Sequence, residues 1–371
     1  MPGLEIPVEL GAEFIHGGPE ITLALLREAG IPAVESTREQ RYLEGGRLRS
    51  IDAFAHARQA VQQVSVLERD VSFQTFLARR RLPQKTRSFA RMMVQGFDAA
   101  DPKRVSARSI AQEWGEAGAL GASQPRPLGG YGALLDWLAH SAVKKGACLQ
   151  LESTVRELRW KRGAVIVRGS FLGQAFVAKA ARAIVALPLG VLQSGAVHFA
   201  PPLQEKRPAL KKLAVGPVIR VALCFQSAFW ERRYPGVAFF HNPKASFPTF
   251  WTPLPMRAPL LTAWAGGPKA ARLTASAKHV LVRQALASVQ AVFENTAGLA
   301  AAYVQDWQQD PHSRGGYSYL LVGGEGARER LAEPLNGTLF FAGEATDAEE
   351  AGTVAGALRS GYRAARELVT S

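Results

Sequence analysis

The sequence predicts an α/β protein of α+β character, with a mixed sheet flanked by helices. Three patterns support this prediction. Residues 51–120 show helical periodicity, with breaks at Pro83 and Pro102. Residues 148–187 and 219–264 contain short runs of apolar, β-branched and aromatic residues between turn signals, which predict strands. A strand, a turn and an amphipathic helix are predicted at the C-terminal end.

The individual elements follow from the apolar patterning and from breaks at Gly and Pro. A strand entering a loop is predicted within 5–18, a helix after Pro19, and a further helix at 133–145. The predicted strands lie at 148–151, 155–160, 164–168, 176–178, 183–187, 219–225, 237–240, 247–251 and 260–264. A long helix at 275–294 and a strand at 303–307 complete the second sheet region.

The C-terminal end has the most informative pattern. A strand at 339–342 leads through a turn into a helix at 353–369. Small residues on the apolar side of that helix, Ala357, Gly361 and Ala365, are expected to let it approach the sheet closely. The strand end and the helix N-terminus then lie together, which predicts an anion-binding geometry.

Length and composition indicate a globular protein. The chain has 371 residues, 47% hydrophobic and 20% charged, which is enough for two domains. Its apolar runs are interrupted, as at Pro217, and fall short of the ~20 residues of a membrane span, so no membrane segment is predicted. The first residues show no export-signal pattern, so a cytoplasmic location is the default expectation.

Cys148 and Cys224 are expected to be buried thiols without a metal or redox role.

The formal net charge of +14 is distributed over short basic clusters. A solvated surface is the simplest interpretation. The alternative is a surface that attracts nucleic acid or an acidic substrate, but no interleaved aromatic residues or nucleic-acid motif accompany the clusters. The sequence therefore predicts no nucleic-acid partner. The same charge weakly disfavours a polycationic substrate, because like charges slow encounter at low salt.

The motif Leu339-Phe-Phe-Ala-Gly-Glu-Ala-Thr346 is followed by Gly352-Thr-Val-Ala-Gly-Ala357 and Ser360-Gly-Tyr-Arg-Ala-Ala365. This order and spacing resembles the flavin-containing amine oxidase family, which includes monoamine oxidases, polyamine oxidases and flavin-dependent lysine demethylases. Segments 9–17, 184–190, 220–225 and 314–318 match the family in the same order. The resemblance therefore covers nearly the whole chain.

The resemblance implies a cofactor, FAD. Glu344 would hydrogen-bond its ribityl or diphosphate region, and the backbone of Val155 would meet its adenine. Gly316 occupies the position of the cysteine that attaches flavin in monoamine oxidases, so the FAD is expected to be non-covalent. The other residues assigned to the cofactor site are Ala12, Glu13, Phe14, Trp307, Gly343, Gly352, Thr353 and Val354.

Within this assignment, the amides of Thr353 and Val354 would face the flavin edge where negative charge builds on reduction. Taken singly, Glu344 can also be a helix-terminal charge, and the Gly-Thr-Val run an ordinary tight helix entry. The strand–turn–helix context favours the cofactor interpretation. No metal ligand is predicted.

The resemblance also places the substrate, an amine or an amino acid, before the flavin. Tyr317 matches one ring of the family's aromatic pair, whereas the second ring position holds Thr353. The position of the family's lysine holds Arg220, which could orient a water, pair with a substrate carboxylate, or form a structural salt bridge. His16 is either a substrate contact or a hydrogen-bonded structural histidine. Arg220, Tyr317, Thr353 and His16 are the candidate catalytic residues.

The family's glycine-rich G-x-G-x-x-G segment is not found in this sequence. Glycine clusters at 129–132 and 323–326 lack the strand–turn–helix context. The chain is either a gene product truncated at its N-terminus or a decayed or repurposed paralogue, and the first is favoured because the downstream motifs are intact. The functional alternatives are accordingly a non-catalytic binding protein, or another member of the same broad fold such as a desaturase or porphyrinogen oxidase. The spacing of Trp307 and Tyr317 favours the amine oxidase branch.

Two discontinuous domains are expected. The FAD-binding, Rossmann-like domain would comprise 1–20, 126–212 and 316–371, and the substrate domain 21–125 and 213–315. The predicted reaction is oxidation of a C–N bond, with molecular oxygen as the electron acceptor. The sequence predicts no oligomeric state.

Overall fold

The computed structural model describes residues 6–62, 67–115, 124–294 and 296–371. Its helices are α1 Glu20–Glu28, α2 Ala53–Val61, α3 Phe73–Arg79, α4 Gln84–Gly96, α5 Ala107–Trp114, α6 Gly130–Lys144, α7 Leu189–Ser194, α8 Arg207–Lys212, α9 Gly267–Leu273, α10 Lys278–Gln290, α11 Ala327–Ala332 and α12 Val354–Thr370. Within these described ranges, no helix has both the length and the apolar character needed to cross a bilayer.

The strands are β1 Ala33–Val34, β2 Gln40–Glu44, β3 Arg47–Ile51, β4 Arg126–Pro127, β5 Ser153–Lys161, β6 Ala164–Phe171, β7 Gln174–Ala180, β8 Ala183–Val185, β9 His198–Ala200, β10 Leu213–Val215, β11 Val218–Phe225, β12 Phe239–His241, β13 Thr249–Trp251, β14 Leu260–Gly266, β15 Leu299–Asp306, β16 Ser318–Leu320 and β17 Leu339–Phe341. Except at 5–18 and 148–151, each predicted strand overlaps one of these elements.

A seven-stranded sheet, ordered β15-β11-β14-β13-β12-β2-β3, forms the largest layer. Its pairs are antiparallel except β12 with β2. Strand β11 is buried along its whole length, between β14 and β15. Because side chains alternate across a strand, Ile219 and Val221 enter the apolar core with α9 and α10, whereas Arg220 points to the opposite face. The sheet thereby turns one buried cation towards the functional site.

Four smaller sheets complete the described fold, and one of them, the pair β1-β4, carries Arg126. Strands β7-β6-β5-β9 form a four-stranded sheet, β17 and β8 form a parallel pair, and β10 pairs with β16. The fully buried residues of β17 pack between α11 and α12, which fixes where the chain leaves the strand. The predicted strand–turn–helix at the C-terminal end is therefore confirmed.

The predicted helical block is confirmed as α2 to α5, within the described parts of 51–115. Asp52, Ser72 and Ser106 precede α2, α3 and α5, and each side chain accepts a hydrogen bond from a backbone N–H of the first turn. The core of the block includes Phe73 and Trp114, both fully buried. Residues 63–66 and 116–123 of the predicted block lie outside the described ranges.

Two strand predictions are wrong. Residues 6–18 contain no strand, and β5 begins only at Ser153, so the run 148–151 is not a strand. Leu149 and Leu151 are 57% and 70% exposed, and Cys148 is exposed although a buried thiol was predicted. Alternating apolar residues form a strand only where a partner strand is available, and no described residue pairs with this run. Cys224 is buried, as predicted.

The hairpin of β2 and β3 was missed by the sequence analysis. Its strands are joined through Gly45 and Gly46, which have φ of 56° and 75°. A Gly-Gly pair between two short strands is a signal for a hairpin turn that needs positive φ at both residues. The residues that flank this Gly-Gly pair are mainly polar, so the apolar pattern does not identify the two strands.

Candidate active site

A cavity of about 450 Å³ lies between β11–β14, α4 and the start of α12. This volume lies within the range of small-molecule sites. The predicted site residues that line the cavity are Ala12, Glu13, Phe14, His16, Arg220, Trp307, Tyr317, Glu344, Gly352, Thr353 and Val354. Residues that are widely separated in sequence therefore meet at one site.

Two predicted cofactor residues lie outside this lining. Val155 is on β5, half-buried against the core of the four-stranded sheet. Gly343 immediately precedes Glu344 and has φ of +118°, a conformation that favours glycine. Its N–H donates to Ser360 Oγ on α12 at 2.8 Å, so it sets the turn. The adenine contact of Val155 stays a prediction.

The Glu344 carboxylate links three parts of the chain. It accepts hydrogen bonds from Ser318 N (3.1 Å), Ser318 Oγ (2.7 Å) and Gly352 N (2.8 Å). Ser318 Oγ in turn accepts from Arg328 Nη1 at 2.6 Å. These contacts join β16, the turn and the start of α12 into one rigid unit. If Glu344 were only a helix-terminal charge, it would not need these contacts.

The N-terminus of α12 opens onto the cavity. Thr353 caps the helix, because its Oγ1 accepts from Gly356 N at 3.0 Å while donating to Glu350 O at 2.6 Å. Gly352 has φ of +73°, and a Cβ there would lie 3.5 Å from the Tyr317 ring. The positive end of the helix dipole is thereby held against the cavity wall.

The close-packed side of α12 differs from the predicted one. Ala357 and Ala365 are exposed, and a Cβ at Gly361 would meet nothing within 4 Å. The close approach is made instead by Gly356, where a Cβ would lie 2.1 Å from Glu350 O, with Ser360 and Ala364 buried below it. The prediction that residues 357, 361 and 365 make the close approach was wrong. The neighbouring row of small residues faces inwards instead.

A buried charge network forms one wall of the cavity. Glu13 binds Arg126 Nη1 and Arg220 Nη2, and its Oε2 accepts from Trp251 Nε1 at 2.8 Å. Burial would raise the pKa of Glu13, but Arg220 and Arg126, with the Trp251 N–H, hold that pKa below its ordinary value. Glu13 is therefore a fixed anion between two cations, and the network carries a net positive charge.

The contacts of Arg220 match the structural salt bridge that was left open as its third interpretation. Besides Glu13, the guanidinium donates to Gly11 O at 2.9 Å and lies over the Trp251 ring at 5.2 Å. Its side chain is 2% exposed. Both terminal nitrogens are thus engaged within the protein. A direct catalytic role for Arg220 stays a prediction.

Aromatic rings enclose the remainder of the cavity. Trp307 donates to Leu10 O at 2.8 Å, Trp264 donates to Gly96 O at 2.7 Å, and the Tyr317 hydroxyl donates to Phe97 O. Burial, and then the nearby carboxyls, raise the pKa of Tyr317 well above its ordinary value. Tyr317 is therefore a neutral donor, with its hydroxyl already committed to the backbone.

His16 is held neutral inside the cavity. Burial, together with the charge of Arg38, lowers its pKa to about 4. Its Nδ1 lies 3.3 Å from Gln124 Nε2, and its ring meets Phe97 edge-to-face at 4.9 Å. With Gln124 as the donor, Nδ1 accepts and Nε2 carries the proton. His16 thus makes a structural hydrogen bond and also faces the cavity. Its position is compatible with both predicted roles, a structural histidine and a substrate contact.

His241 gives a prediction about acid stability. Burial lowers its pKa from 6.5 to about 4, and its ring nitrogens contact Thr249 Oγ1 at 3.2 Å and Gln40 Oε1 at 3.1 Å. Because the unfolded state takes up the proton first, the contribution of His241 to stability is present above pH 6.5. We expect it to fall by about 3 kcal/mol as the pH drops towards 4.

Urea unfolding between pH 7 and pH 4 tests this expectation. Between pH 7 and pH 4, the free energy of unfolding of the wild type should fall by about 3 kcal/mol more than that of His241→Gln. His140→Gln, at an exposed position on α6, is the matched control and should follow the wild type. Parallel pH profiles for His241→Gln and the wild type would contradict the assignment.

Two carboxyls that the sequence analysis missed face the same cavity. Asp98 is 3% exposed and accepts at Oδ1 from Trp114 Nε1 at 3.2 Å, whereas no described residue hydrogen-bonds its buried Oδ2. Burial and the Glu113 charge raise the pKa of Asp98 well above its ordinary value. Glu113 lines the same cavity, and burial raises its pKa as well.

Other lining residues were also missed, among them Phe97, Phe239, Trp251 and Trp264. They belong to strands and helix ends whose existence was predicted. A usable signal was available in β14, where Trp264 interrupts a run of otherwise small or aliphatic residues. Arg126, between two prolines, carried no signal for its contact with Glu13.

The wall at the start of α12 fits the ring end of a flavin. Two glycines of the lining pack closely against neighbouring side chains: a Cβ at Gly316 would lie 2.7 Å from the Val218 side chain, and one at Gly11 3.4 Å from the Trp307 ring. The helix N-terminus supplies amide donors for an electron-rich ring edge. The described lining includes no glycine-rich loop for a diphosphate. The fit is thus to the redox-active ring system.

Comparison with known proteins agrees with this geometry. A family model described as flavin containing amine oxidoreductase matches residues 3–369. The chain is 33% identical over 251 residues to lysine-specific histone demethylase 2 of Homo sapiens, covering 64% of this chain and 29% of that protein. It is 27% identical over 405 residues to polyamine oxidase 2 of Arabidopsis thaliana, covering 97% of this chain and 78% of that protein. The chain thus spans less than a third of the human relative.

Solved structures show the same fold. A putrescine oxidase bound to putrescine superposes with a TM-score of 0.80 at 18% identity, covering 98% of this chain and 88% of that one. Cyclohexylamine oxidase from Brevibacterium oxydans IH-35A gives a TM-score of 0.78 with the same identity and coverage. The predicted α/β fold class is confirmed. Because the family model spans nearly the whole sequence, the chain belongs to the flavin-containing amine oxidoreductase family.

Proposed function

We propose that the protein is an FAD-dependent oxidoreductase that oxidises the C–N bond of an amine. The observation that carries this proposal is the N-terminus of α12, which opens with Glu344 and the Gly352 turn onto an aromatic cavity of small-molecule size. The family membership supports the same reaction class. The names of the similar proteins, polyamine oxidase and putrescine oxidase, support an amine as the substrate.

The bound flavin would supply the redox chemistry, as acceptor of a hydride from the carbon beside the amine nitrogen; the imine product would hydrolyse, and oxygen would take up the electrons to give peroxide. The protein supplies placement and electrostatics. Glu344 would hydrogen-bond the ribityl or diphosphate region, and the first amides of α12 would stabilise the charge that develops at the ring edge. The network of Glu13, Arg126 and Arg220 adds a fixed positive charge on another wall.

The substrate would lie among the aromatic residues. Tyr317 and Trp251 provide ring faces, and the neutral His16, whose Nδ1 accepts from Gln124, can donate a hydrogen bond from Nε2 into the cavity. Because the terminal nitrogens of Arg220 already bind Glu13 and Gly11, its contacts favour an amine over an amino acid. The two discontinuous domains predicted from sequence would form the two sides of this cavity.

The first test is the visible absorption spectrum of the purified chain after incubation with FAD and desalting. Retained flavin absorbance that is bleached anaerobically by an amine is the expected result. A folded protein that retains no flavin would contradict the proposal and support the non-catalytic binding protein. Retained flavin that no amine bleaches would contradict the amine as substrate class.

The variant Glu344→Gln tests the cofactor contact. It removes the charge and turns one acceptor into a donor facing Ser318 N or Gly352 N, so two donors are opposed. We expect the FAD dissociation constant to rise about 10- to 100-fold, for a loss of 1–3 kcal/mol. Glu349→Gln, in the same loop but 71% exposed, is the matched control and should bind FAD like the wild type. Equal affinities for all three proteins would contradict the role of Glu344.

A further inference from the structure

A second cavity, of about 540 Å³, lies between α4, the loop 243–248 and the start of α9. Its volume lies within the range of small-molecule sites. Met92 and Gly96 line both this cavity and the candidate active site, so the C-terminal part of α4 forms a shared wall. The proposed reaction does not use the second cavity.

The charged residues that line the second cavity are all cations. Arg87 and Arg91 are one turn apart on α4, Lys269 is on α9, and the described lining contains no Asp or Glu. Among the described residues, no ion pair involves any of these three side chains. Burial, and then the charge of Arg272, lower the pKa of Lys269. Because like charges at i and i+4 destabilise a helix, Arg87 and Arg91 disfavour each other unless an anion lies between them.

Donors on two of these cations are left without an acceptor. Arg87 Nη2 donates to Arg80 O at 3.0 Å, but the Arg87 Nε is buried and has no hydrogen-bond partner in the described part of the chain. Lys269 Nζ donates to Pro243 O at 3.0 Å and to Ala245 O at 2.5 Å, which leaves one of its three donors unused. A buried donor without an acceptor is uncommon in folded proteins and indicates a missing partner.

The other walls of the second cavity are largely apolar. Leu82, Met92, Pro243 and Pro248 contribute apolar surface to the lining. An inorganic ion would leave this surface in contact with water, whereas an organic body would cover it. The lining therefore fits a molecule that has an anionic group at one end and an apolar group at the other.

We propose that the second cavity binds a small phosphate monoester, with its phosphate at the three cations and its apolar body against Leu82 and Pro248. Guanidinium and ammonium groups form charge-assisted hydrogen bonds with phosphate oxygens. A concave site with apolar walls fits a small molecule better than the extended backbone of a nucleic acid. The proposal gives a location to the anion-attracting surface that the net charge of +14 left open as an alternative. It does not depend on the proposed reaction.

Isothermal titration calorimetry of the full chain in Tris tests the ligand class. The probes are phenyl phosphate, inorganic phosphate and phenol, at about pH 8, where a phosphate monoester is a dianion. Phenyl phosphate should bind at least 10-fold more tightly than either of the other two. Equal affinity for phenol would show that the cations do not contribute, and equal affinity for inorganic phosphate would show that the apolar walls do not. Either result would overturn the proposal.

Variants of the cations test the contacts. Arg91 is exposed, so Arg91→Gln should fold, yet it should bind phenyl phosphate at least 10-fold more weakly. Arg91→Lys keeps the charge and should recover part of the affinity, and Arg87→Gln should act in the same direction as Arg91→Gln. Arg79→Gln, at an exposed position on α3 outside the lining, is the matched control and should bind like the wild type. If Arg79→Gln weakens binding as much as Arg91→Gln, the anion responds only to the basic surface, and the site is overturned.

Ser88→Trp distinguishes the second cavity from the positively charged wall of the candidate active site. Ser88 is exposed on α4 and lines the second cavity but not the first. An indole at this position should fill the second cavity and abolish phenyl phosphate binding, while FAD retention stays within twofold of the wild type. Full binding of phenyl phosphate by Ser88→Trp would place the anion elsewhere and overturn the proposal. If the wild type retains no flavin but these affinities are found, the proposed function fails and the anion site stands.

Discussion

Glu13→Gln is expected to lower the free energy of unfolding by about 3–5 kcal/mol, because it leaves two buried arginines without their anion. The Arg126 and Arg220 side chains are 4% and 2% exposed, so water cannot replace the lost carboxylate. Glutamine keeps a single acceptor oxygen, which cannot serve Arg126, Arg220 and Trp251 Nε1 together. Urea unfolding followed by tryptophan fluorescence measures the loss.

A surface ion pair provides the matched control for this prediction. Glu20 pairs with Arg27 on α1, but the two side chains are 77% and 65% exposed. Glu20→Gln should therefore cost less than about 1 kcal/mol. In the double variant Glu13→Gln/Arg220→Met, one of the uncompensated cations is removed, so part of the loss should be recovered. If Glu13→Gln and Glu20→Gln cost the same, the network does not stabilise the fold.

Gly356→Ala is expected to weaken FAD binding at least 100-fold and to destabilise the protein by about 2–3 kcal/mol, in the range of overpacking substitutions. A Cβ at Gly356 would lie 2.1 Å from Glu350 O and 2.8 Å from Glu350 C. Backbone atoms cannot rotate away, so the segment from Glu350 to Thr353 must move. That segment carries the turn whose amide binds Glu344.

The control for this prediction lies on the same helix. Gly361 is in the interior of α12, and a Cβ added there would have open space around it. Gly361→Ala should therefore bind FAD normally and gain up to about 1 kcal/mol from helix propensity. Flavin retention after desalting and thermal unfolding compare the two variants. Normal binding by Gly356→Ala would show that the entry to α12 does not position the cofactor.

The sequence predicted local elements better than the contacts between them. The strand–turn–helix with Glu344 was predictable because its turn glycines, carboxylate and helix start are close together in sequence. The inward row of α12 was misassigned by one position, because Gly356, Ser360 and Ala364 are as small as the row that was chosen. A one-residue difference in helix phase, about 100°, is decided by tertiary packing.

Long-range contacts explain the remaining differences. The pairing of Glu13 with Arg126 and Arg220 joins positions that are more than one hundred residues apart, and nothing near any of them signals the partner. Asp98 and Glu113 come together only because α4 and α5 converge on the cavity. The predicted strand at 148–151 failed for a related reason, since strand formation depends on a partner strand and not on the apolar pattern alone.

Segment 6–18 has no regular secondary structure, yet it is anchored to several distant elements. Its backbone oxygens at Leu10 and Gly11 accept from Trp307 and Arg220, and its Glu9 carboxylate accepts from Tyr131 N at the start of α6 at 2.6 Å. Release of this segment would break contacts with the large sheet and with α6 together. The amide of Ile15, which donates to Pro125 O at 2.8 Å, should therefore exchange with deuterium as slowly as those of the sheet, so the least regular part of the chain opens only with the whole protein.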